Sequence, residues 1–268
     1  MKPRQIHAVL VDLSGTLHIE NSATDGAVQA LRRLQERSDV ALKFVTNTTK
    51  ESASLLLDRL HHCGFTSIER HQIFTSLSAA RRYIEREGLR PMLMLEPEAM
   101  EDFKDLNCDE PQNAVVVGLA PSMFNFQQMN RAFKLLLHED CKLVAIHKGR
   151  YYKRSDGLAL GPGPFIQAFE FATGKVPHVV GKPSSNFYNE AINLLQQETD
   201  QAFENVWMIG DDVQDDVLGA IDSGFNAILV KTGKYREGDE EQIPKEKQNV
   251  FKNFSDAVSF LLQKFDGN

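Results

Sequence analysis

The chain has 268 residues and 42% hydrophobic content, which suffices for one large domain or two modest ones. Its 37 acidic and 30 basic residues give a net charge of -7, which would repel a nucleic-acid backbone, and no apolar run approaches the roughly 18 residues of a membrane helix. No secretory pattern is present, and three scattered cysteines argue against a disulfide framework or a structural zinc site. We therefore expect a soluble, cytoplasmic protein that binds neither nucleic acid nor a membrane and whose partner is a small anionic molecule.

Short apolar runs alternate with stretches of helical periodicity along the chain. So many strand-helix units predict the α/β class, with a doubly wound, mostly parallel sheet and helices on both faces. A charged segment, 235–247, is expected to be a loop or a frayed helix. The predicted strands are 8–11, 42–45, 91–95, 114–119, 143–147, 179–180, 206–209 and 227–230, and the predicted helices are 27–34, 53–60, 78–87, 125–137, 186–197 and 215–223.

The middle of the chain has its own set of strands and helices. None of the polar residues considered below as candidate site residues falls within it. We therefore predict a discontinuous core, residues 1–79 and 176–268, into which a second α/β domain, residues 80–175, is inserted.

Four polar residues lie at or within about three residues of the end of an apolar run. They are Asp12, Thr46, Lys182 and Asp211. Ligand sites of open parallel sheets lie at the carboxyl ends of the strands, so these side chains are candidates for one site.

The first three of these motifs are each ambiguous when taken alone. Asp12 in VLVDLSGTL, followed by the turn-forming Gly15, suits a nucleophile or a metal ligand, but equally a helix cap or an Asx-turn. Thr46 and Asn47 in KFVTNTT offer a hydroxyl and an amide to a phosphoryl oxygen, or cap a helix. Lys182 in VVGKP is a cation at a stiff turn, although most lysines are merely solvated.

The fourth motif places several acids together. Asp211 and Asp212 end an apolar run, and Asp216 follows about one helical turn later. Like charges held close raise each other's pKa, a cost that a hard cation such as Mg²⁺ relieves, whereas a solvated acidic helix start is the simpler structural interpretation. A carboxylate nucleophile, a metal, a lysine and a hydroxyl together are what phosphoryl transfer requires.

The chain resembles the haloacid dehalogenase (HAD) superfamily, because it contains sequences similar to the four motifs of that family in the same order. They are DLSGT, VTN, GKP and GDD, the last followed by Asp216. The long insertion between VTN and GKP, together with DGLALGPGPF, resembles the branch with a large α/β cap that includes nucleotide-monophosphate and pyridoxal-phosphate phosphatases. The similarity to members of this branch extends to four further stretches, FVTNTTKES, GLAP, HKGRYYKRSDGLALGPGPF and ILVKTGKYR. The resemblance covers the whole chain and implies a HAD-like Rossmannoid core with an inserted cap. We expect the cationic and aromatic cap segment KGRYYKRSDG, residues 148–157, to face the substrate; an ordinary solvated hairpin is the alternative.

The resemblance also implies a role for each matching residue. Asp12 would be the nucleophile that forms an aspartyl-phosphate, and Lys182 and Asp216 would complete the catalytic set, Asp216 by orienting Lys182 or metal-bound waters. Mg²⁺ would be held by Asp12, the backbone carbonyl of Ser14, and Asp211. The phosphoryl group of a small phosphorylated substrate would be bound by six residues: Asp12, Leu13, Ser14, Thr46, Asn47 and Lys182. A homodimer formed through the cap is compatible with the same resemblance.

Ser14 departs from the family pattern, because most phosphatases of the superfamily have an aspartate there that protonates the leaving group. General acid-base catalysis contributes about 10² to 10⁴ in rate, so turnover would survive for leaving groups that need little protonation. Aryl phosphates, pyrophosphate and phosphoramidates fit that description. The alternative is a non-catalytic protein that binds phosphate and magnesium. A phospho-receiver domain is disfavoured by the length of the chain, and no phosphate-binding loop of the GxxxxGK[ST] type occurs.

Overall fold

A computed structural model describes residues 6–154 and 157–267. Its strands are β1 (His7–Val11), β2 (His18–Ile19), β3 (Ser22–Ala23), β4 (Val40–Thr46), β5 (Ile73–Thr75), β6 (Pro91–Met94), β7 (Ala114–Val117), β8 (Lys142–Ala145), β9 (Tyr151–Arg154), β10 (Gly157–Leu160), β11 (His178–Val179), β12 (Asn205–Gly210), β13 (Asn226–Val230) and β14 (Val250–Phe251). Its α-helices are α1 (Ala27–Gln35), α2 (Ala53–His62), α3 (Ser76–Arg86), α4 (Phe126–Leu136), α5 (Gly163–Thr173), α6 (Ser185–Thr199), α7 (Gly219–Asp222) and α8 (Phe254–Asp266).

The chain divides into two compact units, and the first contains residues up to Thr46, Leu56–Phe74 and residues from Lys182 onward. A six-stranded sheet of order β14-β13-β12-β1-β4-β5 runs through this unit. All five residues of β1 are buried, as expected for the central strand of a sheet covered on both faces. Helices α1 and α8 contact each other, and Leu31 and Leu261 join the same apolar cluster as Val9 of β1.

The parallel register brings several strand ends to the same edge of this sheet. Val11, the last residue of β1, is opposite Ile209 of β12 on one side and Phe44 of β4 on the other. Residues that directly follow these strands therefore emerge side by side.

The second unit contains residues 47–55 and 75–181. Its four strands are ordered β11-β8-β7-β6 and run parallel, and β9 and β10 form a separate antiparallel hairpin. An apolar cluster that includes Val115, Val117 and Ala145 lies between this sheet and α4 and α5, from which Leu136 and Ile166 project into it.

The predicted α/β class with mostly parallel sheets is confirmed, but several details differ from the sequence-based prediction. The predicted core includes the apolar run at 179–180; in the structure His178 and Val179 form β11, which pairs with β8, and the second unit continues to residue 181. The longer part of this unit begins at Thr75, which caps α3. The segment predicted as one helix over 215–223 is a π-helix, Val213–Leu218, that continues into α7.

The prediction missed α5 and α8, and β9 and β10 form the hairpin that is the alternative interpretation of residues 148–157. The segment 235–247 is a loop with two short 3₁₀ turns, as expected. Within the described residues, no helix is both long enough and apolar enough to cross a membrane.

Candidate active site

The turn after β1 presents Asp12 at the carboxyl edge of the first sheet. The backbone N–H of Asp12 donates to the carbonyl of Ile209 at 2.9 Å, which fixes the start of the turn to β12. Gly15 has φ +98°, a left-handed conformation that L side chains rarely adopt, and a Cβ there would lie 2.1 Å from Asp211 Oδ2. The hydroxyl of Thr16 lies 3.2 Å from Asp12 Oδ2 and 3.4 Å from Asp211 Oδ1. The glycine thus allows the turn to approach the acidic residues after β12 closely.

Lys182 connects two carboxylates of this edge. Its Nζ donates to Asp12 Oδ1 and to Asp216 Oδ1, each at 2.6 Å, and to the carbonyl of Val45 at 3.2 Å. The lysine is 2% exposed, which alone would lower its pKa, but the two carboxylates outweigh burial and raise the pKa of Lys182 above its usual value. Lys182 therefore stays protonated and holds Asp12 and Asp216 in fixed positions.

Three buried carboxylates face one another here. Oxygens of Asp12, Asp211 and Asp216 all lie within 4.8 Å of one another. Burial, reinforced by Asp12 and Asp216, raises the pKa of Asp211 well above its usual range. Burial also raises the pKa of Asp216 to about 7, although Lys182 acts in the opposite direction. Lys182 alone does not balance three carboxylates, so the group has the charge and the oxygen donors that suit a hard divalent cation.

The structure separates the two adjacent acids after β12. Asp212 caps the π-helix by accepting from the backbone N–H groups of Gln214 and Asp215, each at 3.0 Å, and it pairs with Lys234 Nζ at 3.0 Å. Burial opposes its charge, but Lys234 and these hydrogen bonds lower the pKa of Asp212. Asp212 is thus occupied by its helix and by Lys234, whereas Asp211 faces Asp12.

The other predicted site residues are placed as follows. Thr46 is the buried last residue of β4, next to the carbonyl that Lys182 binds. Leu13 has a fully buried side chain, so only its backbone suits a phosphate contact, and the side chain of Ser14 is exposed. Asn47 belongs to the second compact unit, so its contribution to this site stays a prediction.

Sequence reasoning missed two contributors. Tyr188 of α6 is buried, and its hydroxyl donates to the carbonyls of Asp215 at 2.6 Å and Asp216 at 3.2 Å. These hydrogen bonds attach the π-helix to α6. The segment 232–234 follows β13 and reaches the backbone of Gly15 and the side chain of Asp211. It lies just past a strand end, and the same signal that singled out Asp12 and Asp211 would have found it.

The predicted substrate-facing segment KGRYYKRSDG, residues 148–157, contacts other residues of the second unit. Lys148 Nζ pairs with Glu170 at 2.8 Å, and Lys50 lies 3.9 Å from the ring centroid of Tyr152. Arg150 is exposed, and Ser155 and Asp156 lie outside the described residues. Selection of substrate by this segment stays a prediction.

Two family models match the chain. One, described as haloacid dehalogenase-like hydrolase, matches residues 9–109, and the other, described as HAD-hydrolase-like, matches residues 179–257. The first range contains Asp12 and Thr46, and the second contains Lys182, Asp211 and Asp216.

Two curated proteins are similar over nearly the full length. Human haloacid dehalogenase-like hydrolase domain-containing protein 2 is 53% identical over 97% of each chain. Human phospholysine phosphohistidine inorganic pyrophosphate phosphatase is 36% identical over 97% of this chain and 96% of its own. The similarity predicted from DLSGT, VTN, GKP and GDD is confirmed.

Two solved structures share the fold. A 4-nitrophenylphosphatase from Thermotoga maritima superposes with a TM-score of 0.83 at 23% identity and covers 95% of this chain and 97% of its own. A glycerol phosphate phosphatase from Mycobacterium tuberculosis, solved in complex with magnesium, gives 0.77 at 25% identity over 92% of this chain and 75% of its own.

Proposed function

Since this chain belongs to the haloacid dehalogenase-like hydrolase family, it is a hydrolase, and we propose that it is a magnesium-dependent phosphatase that works through an aspartyl-phosphate on Asp12. The observation that carries the proposal is the position of Lys182, whose Nζ lies 2.6 Å from both Asp12 and Asp216 inside a buried acidic group. This arrangement fixes the Asp12 carboxylate and the Lys182 ammonium group at the carboxyl ends of the strands, where a phosphoryl group would bind.

The donor set fits magnesium. Asp12, Asp211 and the carbonyl of Ser14 would hold the ion, because Mg²⁺ prefers oxygen ligands and commonly binds one or two carboxylates together with water and phosphate. The carboxylates are buried and outnumber Lys182, so a divalent cation would relieve their repulsion. When bound, the metal would neutralise charge on the phosphoryl oxygens and on Asp12. The magnesium complex of the related-fold glycerol phosphate phosphatase is consistent with this choice.

The protein's own residues account for the two chemical steps. In the first, a carboxylate oxygen of Asp12 attacks phosphorus and the bond to the leaving group breaks. In the second, water attacks the aspartyl-phosphate, which releases phosphate and restores Asp12. Lys182 holds Asp12 in one orientation and places a positive charge beside the transferred group. Thr46, at the end of β4, would contribute a hydroxyl to a phosphoryl oxygen.

Ser14 narrows the proposed substrates. It supplies no carboxylic acid to protonate the leaving group, so weakly basic leaving groups and amines already protonated at nitrogen are favoured. We therefore propose small aryl phosphates, pyrophosphate and phosphoramidates as the substrate class. The human phosphatase that is 36% identical is named for pyrophosphate and for two phosphoramidates, phospholysine and phosphohistidine.

The test measures hydrolysis of 4-nitrophenyl phosphate, pyrophosphate and a phosphoramidate, each with magnesium and with chelator, by wild type and Asp12→Asn. Wild type should be active only with the metal, and a hydroxylamine-labile phosphoryl label should form on wild type alone. Asp58→Asn, which changes an exposed acid of the same unit, serves as the matched control and should behave as wild type. Magnesium-dependent turnover by Asp12→Asn would refute the nucleophile. Absence of hydrolysis by wild type would favour the non-catalytic alternative.

A further inference from the structure

A short segment after β13, residues 232–234, contacts the turn after β1 and the carboxylate after β12. It belongs to the sequence stretch ILVKTGKYR, to which the proposed chemistry gives no role. Strand β13 is the neighbour of β12, so the segment emerges beside Asp211. We call these three residues the 232–234 segment.

The segment makes two short hydrogen bonds at the proposed metal site, one to Gly15, which follows Ser14, and one to Asp211. The hydroxyl of Thr232 donates to the carbonyl of Gly15 at 2.6 Å, within the turn that carries Asp12 and Ser14. The backbone N–H of Lys234 donates to Asp211 Oδ2 at 2.6 Å. One segment thus fastens both the turn after β1 and the carboxylate after β12.

Gly233 makes this approach sterically feasible. A Cβ at Gly233 would lie 2.1 Å from Asp211 Oδ2 and 2.5 Å from the Cα of Gly15. Its φ of +51° is also in the left-handed region, where glycine is favoured. No side chain fits between the 232–234 segment and the two groups it contacts.

The side chain of Lys234 makes a different contact from its backbone. Its Nζ lies 3.0 Å from Asp212 Oδ2, so it pairs with the acid adjacent in sequence to Asp211. The main chain of Lys234 therefore holds Asp211, while its side chain holds Asp212. The two neighbouring carboxylates cannot exchange roles without breaking one of these contacts.

We infer that the 232–234 segment positions the metal-binding residues: Thr232 fixes the turn that carries Ser14 through the Gly15 carbonyl, and the backbone N–H of Lys234 fixes Asp211 through Oδ2. This inference rests on the proposed magnesium-dependent function. Thr232, Gly233 and Lys234 are positioning residues, because they act through Asp211 and Gly15 and touch neither the substrate nor the ion. Partners that orient metal ligands typically contribute about 10- to 100-fold in metal affinity.

The experiment is calorimetric titration of the full chain with MgCl₂ in the absence of substrate. Thr232→Val, which removes the hydroxyl at nearly constant volume, should raise the Kd for magnesium about 10- to 100-fold. Thr232→Ser, which restores a hydroxyl, should return most of the affinity. The matched control is Thr199→Val, because Thr199 donates to the Leu195 carbonyl at 2.7 Å in α6, and it should bind magnesium as wild type does.

A second readout separates positioning from general stability. In turnover of 4-nitrophenyl phosphate, Thr232→Val should need more magnesium for half-maximal rate but approach the wild-type kcat once the metal is saturating. If wild type binds magnesium and Thr232→Val binds it equally well, the inference is overturned. If wild type itself binds no magnesium, the proposed function fails first. Should Thr232→Val not fold, Thr232→Ala decides the question under the same criteria.

Discussion

Replacement of Lys182 by methionine tests the electrostatic account of the site most directly. The change removes a buried cation that lies 2.6 Å from Asp12 and from Asp216 and leaves the carboxylates facing one another. At an effective dielectric constant of about 20, unit charges at that distance attract by about 6 kcal/mol. Desolvation of three buried groups offsets most of the two attractions, and removal of one partner of a buried pair typically costs about 3 to 5 kcal/mol. We therefore expect Lys182→Met to lower the free energy of unfolding by about 3 to 5 kcal/mol.

The assay is urea unfolding at neutral pH in the presence of chelator, together with turnover of 4-nitrophenyl phosphate in saturating magnesium. Lys182→Met should lose both stability and turnover. The matched control is Lys43→Met, because Lys43 is another buried lysine, on β4, and it pairs with Glu198 rather than with a carboxylate of the site. It should lose stability but retain turnover.

A double variant separates charge repulsion from loss of packing. Lys182→Met combined with Asp216→Asn removes one of the carboxylates left unbalanced, so it should recover about 2 kcal/mol or more of the stability lost by Lys182→Met, without recovering turnover. The reasoning is refuted if Lys182→Met changes the free energy of unfolding by less than about 1 kcal/mol, or if the double variant is the less stable of the two.

Three further outcomes follow from the structure. Ser14 is exposed, so Ser14→Asp should fold normally and raise alkyl-phosphate turnover by up to about 10²- to 10⁴-fold at saturating magnesium, with a much smaller effect on aryl phosphates; equal hydrolysis of alkyl and aryl phosphates by wild type would contradict it. Replacement of the exposed Arg150, or of Lys148, by a neutral residue should change the relative rates on different small phosphorylated substrates more than it changes the rate on 4-nitrophenyl phosphate. Equal effects on all substrates would exclude a selective contact between this segment and the substrate. Burial, and then the nearby Arg59, lower the pKa of His18 to about 4, below its value near 6.5 in the unfolded chain. Its stabilising contribution is therefore complete above pH 6.5 and is lost as the pH falls toward 4, by up to about 3 kcal/mol. His18→Gln should flatten the pH dependence of urea unfolding in that window, and an unchanged slope would count against the assignment.

The sequence by itself determined the fold class, and it singled out residues that the structure brings together, such as Asp12 and Asp211. Asp12, Thr46 and Asp211 each follow an apolar strand, and parallel strands present their carboxyl ends at one edge. Because β1 lies between β4 and β12, local patterns sufficed to predict that these residues would converge. Lys182 also follows an apolar run, but that run contains β11, which belongs to the second sheet, so the argument from a shared sheet edge does not explain its position.

Only the tertiary structure decided how neighbouring groups divide their roles. In the sequence, Asp211 and Asp212 are adjacent and chemically identical; in the fold, one is held by the backbone of Lys234 and the other by its side chain and a helix end. The part played by Thr232 depends on contact with Gly15, which is more than 200 residues away in the chain. Such partners carry no local signature, because the distance between them is fixed by the order of strands in the sheet and not by spacing along the chain.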